Sequence, residues 1–161
     1  MKAFNFVLAT TGPMRTNLKI LSRYGYSLSR HMTPRRAWNM AKVEWARWRG
    51  HDVVPGFPYV LKIETTNICN QRCPFCLDRD RSTFKQEGMR GFGRMKADFF
   101  KSIIDQLAPY AFNANLYGSG EPVVFPEAYE MFRYAADKNI GVRVSSNLSM
   151  RDFSDEMAEK V

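Results

Sequence analysis

Residues 65–80 read TTNICNQRCPFCLDRD and hold every cysteine of this 161-residue chain: Cys69, Cys73 and Cys76, spaced C-x3-C-x2-C. An odd, tightly grouped set of thiols makes a poor disulfide framework, and in a reducing compartment such clusters bind metal. The start, MKAFNFVLATTG, shows no small-residue cleavage site of the kind a signal peptide needs. No apolar run approaches the roughly 20 residues of a membrane-spanning helix. A cytoplasmic setting is therefore expected.

Reading outward from the cysteines, strand-like and helix-like stretches alternate. YVLKIETT (59–66) is a short β-branched and aromatic run, a strand that ends just before the cysteines. After the polar connection DRDRSTFKQEGMRGFG, the segment RMKADFFKSIIDQLAPY repeats Met95, Phe99, Ile103 and Leu107 at steps of four, an amphipathic helix ended by Pro109. AFNANLYG is a second strand, leading into GSGEP. FPEAYEMFRYAADKN is a second helix closed by Asn139-Ile140-Gly141, IGVRVSSN a third strand, and DFSDEMAEKV the start of a third helix. Three such units in succession predict a parallel sheet with helices packed outside it. Ligands of such sheets gather where the strands end at their C-terminal edge. The cysteine loop, GSGEP and SSN are therefore expected on one rim.

The charge is uneven. Residues 1–50 carry ten Lys/Arg against Glu44 alone, a balance of +9, which leaves −1 for the rest of a chain whose net charge is +8. This basic N-terminal extension is predicted to be helical, with Thr33 as N-cap, Pro34 at the first helical position and Gly50 at the stop. Trp38, Ala41, Trp45 and Trp48 form one stripe. The stripe is expected to pack onto the main domain while the surrounding arginines face water. The sharper alternative is a basic amphipathic surface for a membrane or an acidic partner; nucleic acid is not expected, because no binding motif is present. HDVVPGFP (51–58) reads as a linker, dividing a 1–50 extension from a 59–161 core.

Three thiolates are one short of a tetrahedral zinc site. His31 and His51 are the only histidines, and recruiting His51 would require it to fold back across the first strand. On a four-iron cubane, three thiolates leave one iron open to a substrate or cofactor.

CNQRCPFC, placed after a first strand, resembles the cluster loop of the radical S-adenosylmethionine (radical SAM) superfamily. YGSGEP resembles that family's Gly-Gly-Glu-Pro motif at the end of strand two, with Ser119 in place of a glycine, and SSN stands where relatives carry Thr-Asn-Gly. The resemblance implies the N-terminal half of a partial (β/α)6 barrel with parallel strands, preceded by the basic helical extension. It implies Cys69, Cys73 and Cys76 as metal ligands of a [4Fe-4S] cluster, and Phe75, Ser119, Gly120, Glu121, Ser145 and Asn147 as residues binding S-adenosylmethionine. The implied function is reductive cleavage to a 5′-deoxyadenosyl radical that abstracts hydrogen from a substrate, with no catalytic residue assigned beyond the cluster.

A flavodoxin- or ferredoxin-like electron donor is implied as partner. The substrate stays open, with peptides among the classes that relatives of the cysteine-rich SPASM type modify. Asn70 and Arg72 are read as supports of the loop. Glu121 is equally readable as a helix-start carboxylate, and Ser145 and Ser146 as strand-ending hydroxyls. With three of six units present, the chain reads as the N-terminal portion of a longer enzyme, expected to aggregate or turn over no substrate alone. A zinc-stabilised binding module and an inactive half-barrel partner subunit are the competing functions.

Overall fold

The computed structural model describes residues 23–74, 76 and 93–149. Helix α1 covers residues 23–31, and α2 runs Pro34–Arg49. Then follow β1 (Val60–Lys62), α3 (Ala97–Leu107), β2 (Asn113–Asn115), a 3-10 turn (Pro122–Val124), α4 (Glu127–Asp137) and β3 (Gly141–Arg143). The strands pair in parallel in the order β1-β2-β3. This is the parallel α/β arrangement expected from the alternation, and it suits the N-terminal half of the partial barrel that the resemblance implies; the expected third helix lies outside the described residues.

The ladders are shorter than the apolar runs that announced them, for a local reason. At the end of β1 the chain leaves the sheet to pair with the segment returning from the cysteine loop. Met95 N–H donates to the Thr65 carbonyl (2.8 Å), Thr66 and Arg94 form an antiparallel bridge, and Asn67 N–H donates to the Gly93 carbonyl (3.3 Å).

Register assigns the two faces of the sheet. Leu61, Ala114 and Val142 are paired neighbours on one face, which packs with Phe100 and Ile104 of α3 and Met131, Phe132 and Ala135 of α4. In α3 the buried centre is Phe100 and Ile104, whereas Phe99 of the expected stripe is 51% exposed. Steps of four advance ~400° per repeat on a helix turning ~100° per residue, so the stripe drifts and the core takes the side chains beside it. Lys62, Asn115 and Arg143 form the matching row on the opposite, inner face.

Helix α1 covers the lower part of that inner face. Ser27 Oγ and the Asn113 amide are 2.9 Å apart, Tyr24 Oη accepts from Asn115 Nδ2 (3.2 Å), and Arg143 Nη1 donates to the Arg23 carbonyl (2.7 Å). Helix α2 seals the end of the molecule where the strands begin. It is built as its sequence signals required: Thr33 accepts from Arg36 N–H, and Gly50 ends the helix at φ 71°, a left-handed conformation that glycine adopts without penalty. Arg36 is 3% exposed. Its guanidinium donates to the carbonyls of Ala108, Lys138, Asn139 and His31, which satisfies orphan acceptors at the ends of α1, α3 and α4 with one side chain. Burial pulls its pKa below the ordinary value.

The packing of α2 corrects the sequence expectation. Its buried face is Arg36, Asn39, Val43 and Ala46, while Trp38, Trp45 and Trp48 are 68%, 49% and 63% exposed. The buried stripe has the same i, i+3, i+7, i+10 spacing as the tryptophan stripe and lies on the other side of the helix. Hydrophobicity alone chose the wrong one, because the docking site offers carbonyls for Arg36 and the Phe57 backbone for Asn39. Among the described residues no helix is long and apolar enough to cross a membrane.

Arg36→Ala should remove the side-chain donor to four helix-end carbonyls and lower stability by roughly 2–3 kcal/mol. Arg36→Lys should recover only part of the loss, since one ammonium cannot reach all of them. Denaturant midpoints of the purified variants measure both.

Candidate functional site

The expected rim exists: the loops following all three strands touch one another. Backbone meets backbone at Gly120, where an added Cβ would collide with the Thr66 carbonyl and lie 2.8 Å from the Ile68 carbonyl. Only a residue without a side chain lets GSGEP lie backbone to backbone on the chain leading into the cysteines. Glu121 N–H, next along, donates to the Ile68 carbonyl (2.9 Å).

The other end of the motif is held by a residue that motif reading missed. Glu64 accepts from Ser119 N–H (2.6 Å) and from Ser119 Oγ, and its side chain fills the space beside Gly118. Alternation carried the signal: Glu64 breaks a β-branched run two residues past Lys62, on the inner face opposite Leu61 and Ile63. Thr66 and Asn67 were missed as well. Thr66 Oγ1 donates to the Gly93 carbonyl (3.1 Å) and Asn67 Oδ1 accepts from Gly93 N–H (2.8 Å), so together they close the base of the cysteine loop.

Glu121 is 3% exposed and spans two loops. Oε1 accepts from Val123 N–H (3.4 Å), capping the 3-10 turn, and Oε2 accepts from Asn147 N–H (2.7 Å). The carboxylate thus caps a turn ahead of α4 and also fastens the end of the third strand to the second loop. Burial first, and the Glu121 charge second, raise the Tyr129 phenol above its ordinary pKa.

Asn147 continues the connection to the first loop. Its Nδ2 donates to Asn70 Oδ1 (3.0 Å) and points toward Cys69 Sγ (3.9 Å), and Asn70 Nδ2 donates to the Ser149 carbonyl (2.8 Å). Ser146 Oγ accepts from Leu148 N–H (3.0 Å), a local turn, and Ser145 is exposed. Phe75 lies outside the described residues.

Cys69 and Cys76 are half-buried, Cys73 is exposed, and all three are free thiols. Cys69 Sγ accepts from Gln71 N–H (3.4 Å), and Cys76 N–H donates to the Cys73 carbonyl (3.0 Å), a turn that brings the last two cysteines together. Among the described residues no group of three or more His, Cys, Asp or Glu side chains is gathered closely enough for a single metal ion. A cubane makes a different demand, since each thiolate binds a different iron and the sulfurs need not meet at a point.

Neither histidine is placed to complete a zinc site. His31 Nδ1 is 3.0 Å from Asn139 Oδ1 at the start of β3, the opposite end of the sheet, and His51 packs on Trp45. The donor set at the rim is three thiols with N–H groups directed at one of them. That set fits a cluster with one open iron and does not fit a Cys3His zinc centre. An open hollow of ≈ 540 Å³ adjoins the loop, lined by residues 64–67, 93–96 and Phe99.

Comparison with known proteins agrees with this geometry. The family model of the Radical SAM superfamily matches residues 63–161. Mycofactocin maturase MftC of Mycobacterium tuberculosis is 35% identical over 91 residues, 56% of this chain and 21% of that protein. The AdoMet-dependent heme synthase of Methanosarcina barkeri is 26% identical over 104 residues, 65% of this chain and 28% of its own length. The matched region thus spans 21% to 28% of the length of these curated relatives. Among solved structures, Streptococcus suis SuiB bound to S-adenosylmethionine superimposes with a TM-score of 0.52 at 16% identity, covering 91% of this chain and 32% of that one; the likeness is one of fold.

Gly120→Ala should force the second loop off the first and cost about 1–3 kcal/mol, as overpacking against backbone does. Thermal unfolding of the variant, together with faster proteolysis within residues 65–76, is the expected result.

Proposed function

The chain belongs to the radical SAM superfamily, a family of enzymes, and from that premise we propose that Cys69, Cys73 and Cys76 anchor a [4Fe-4S] cluster whose unligated iron receives S-adenosylmethionine. The observation that carries this reading is the meeting of three strand-end loops around the only three thiols of the chain. When bound, the cluster supplies the electron that cleaves S-adenosylmethionine to methionine and the 5′-deoxyadenosyl radical, which takes a hydrogen atom from the substrate.

The protein's own groups hold and orient. The Ser119–Gly120 backbone, lying flat against the cysteine loop, presents peptide groups to the methionine end of the cofactor, and Glu64 keeps that segment from moving. Glu121 acts by tying Asn147 to the same rim, so that Asn147 and Ser145 face the cofactor from the third strand. Phe75, directly before Cys76, is assigned to the adenine. Asn70 supports Asn147. Such fixed placement matters because a misdirected radical would attack the protein.

For the substrate we propose a peptide, in an enzyme of the SPASM type. The support for this reading is that a 35% identical relative is named a maturase. Exposed Cys73 marks the side on which a flavodoxin- or ferredoxin-like donor would deliver its electron. Residues 59–161 form the catalytic core in this reading, within a cytoplasmic protein.

Anaerobic reconstitution with iron and sulfide should give brown protein holding close to four irons, and reductant with S-adenosylmethionine should release 5′-deoxyadenosine. Cys73→Ala should lose both. Colourless, zinc-loaded protein would favour the binding module, and a cluster that never yields 5′-deoxyadenosine would favour the inactive partner subunit.

A further inference from the structure

The tryptophan face of α2 is largely exposed, with Trp45 set against the His51 ring just past the end of the helix. Across the helix, Arg36, Asn39, Val43 and Ala46 are locked into the molecule, so α2 cannot rotate to bury its indoles. Trp38 and Trp45 lie seven residues apart in one row of the helix, and Ala41 and Trp48 form the row beside it. On the other flank run Arg35, Lys42 and Arg49, again at steps of seven. Two of the three cations are placed among aromatic rings: Arg49 lies over Trp45 (5.7 Å) and Trp48 (5.3 Å), and Arg35 lies over Tyr110 (4.9 Å). Glu44, the one acidic residue of the first fifty, is bound to Arg47 and to Tyr59 Oη (2.5 Å). Its charge is therefore taken up at the edge of the face.

We propose that this face is an anchor for the surface of an anionic lipid bilayer, with α2 lying in the plane of the headgroups. Indole is apolar in body and carries one N–H, which suits the boundary between acyl chains and headgroups. A helix with an aromatic stripe and a cationic flank binds that boundary by burying the first and attracting anionic headgroups with the second. The balance of +9 in residues 1–50 has the sign such a surface selects. Neither the hollow beside the cysteine loop nor the one along α4 is lined by any residue of α2.

Placement gives the anchor a consequence. Arg36 fixes α2 at the end of the sheet where α3 and α4 finish, opposite the rim that carries the cysteines. A bilayer bound to α2 leaves that rim turned toward solution, open to substrate and electron donor. The inference stands independently of the chemistry at the rim.

The test is sedimentation of the full chain with phosphatidylcholine vesicles and with vesicles of phosphatidylcholine and phosphatidylglycerol, with tryptophan emission recorded alongside. Binding should be at least about tenfold tighter to the anionic vesicles, weaken with salt, and shift the emission to the blue. The triple variant Trp38→Ala, Trp45→Ala, Trp48→Ala should lose about tenfold or more of that affinity while keeping its circular dichroism and unfolding midpoint, since alanine favours an exposed helix. Lys42→Ala with Arg49→Ala should remove the preference for anionic lipid while a wild-type fold remains. Equal partitioning of wild type and triple variant would overturn the proposal. A lipid-free dimer dissolved by the same substitutions, or displacement from vesicles by an oligonucleotide, would do so too, by naming a second copy or a nucleic acid as the occupant.

Discussion

Between Gly120 and the carbonyls of Thr66 and Ile68 there is room for a hydrogen atom and nothing larger. Two loops that leave different strands are thereby held at backbone distance, and the Glu121 N–H bond to Ile68 sets their register. Everything at the rim depends on that contact. Because the second loop cannot drift, the Glu121 carboxylate can reach Asn147, and because Asn147 is held, its amide can reach Asn70 beside Cys69. The three cysteines thus sit on a loop braced from the loops that follow β2 and β3. A cofactor bridging the loops would meet a site whose geometry is already set, which is the economical way to bind a reactive group.

The opposite end of the sheet is organised by charge instead of close contact. Arg36 gathers carbonyls from the ends of three helices, and α1 supplies Ser27 and Tyr24 to the amides of Asn113 and Asn115. Buried asparagines on the inner face would be costly if unmatched, and these helices match them. Among the described residues, the molecule is therefore closed where the strands begin and open where they end. That polarity leaves the cysteine rim accessible and puts the exposed indoles of α2 on the far side from it.

Much of this was legible. The helix start at Thr33 and stop at Gly50, the alternation of elements and the common rim followed from local rules, and local rules act through neighbours in the chain. Strand ends were less so, because Thr65 and Thr66 found partners around Gly93, across a long connection that propensity does not see. The tryptophans of α2 misled for a related reason. Two stripes of identical spacing compete on one helix, and the winner was chosen by the unsatisfied carbonyls waiting at Ala108, Lys138 and Asn139, residues about seventy to a hundred positions away.

By itself the sequence determined the order of strands and helices, the spacing of three thiols, and the presence of glycine where two loops would later meet. These are properties of short stretches, expressed in dihedral preference and hydrophobic period. Tertiary structure alone decided which face of α2 is buried, that Glu64 clamps Ser119, and that Glu121 links two loops to each other. Each of those outcomes depends on a hydrogen-bonding group brought close from a distant part of the chain, and such a group has no signature until the chain is folded.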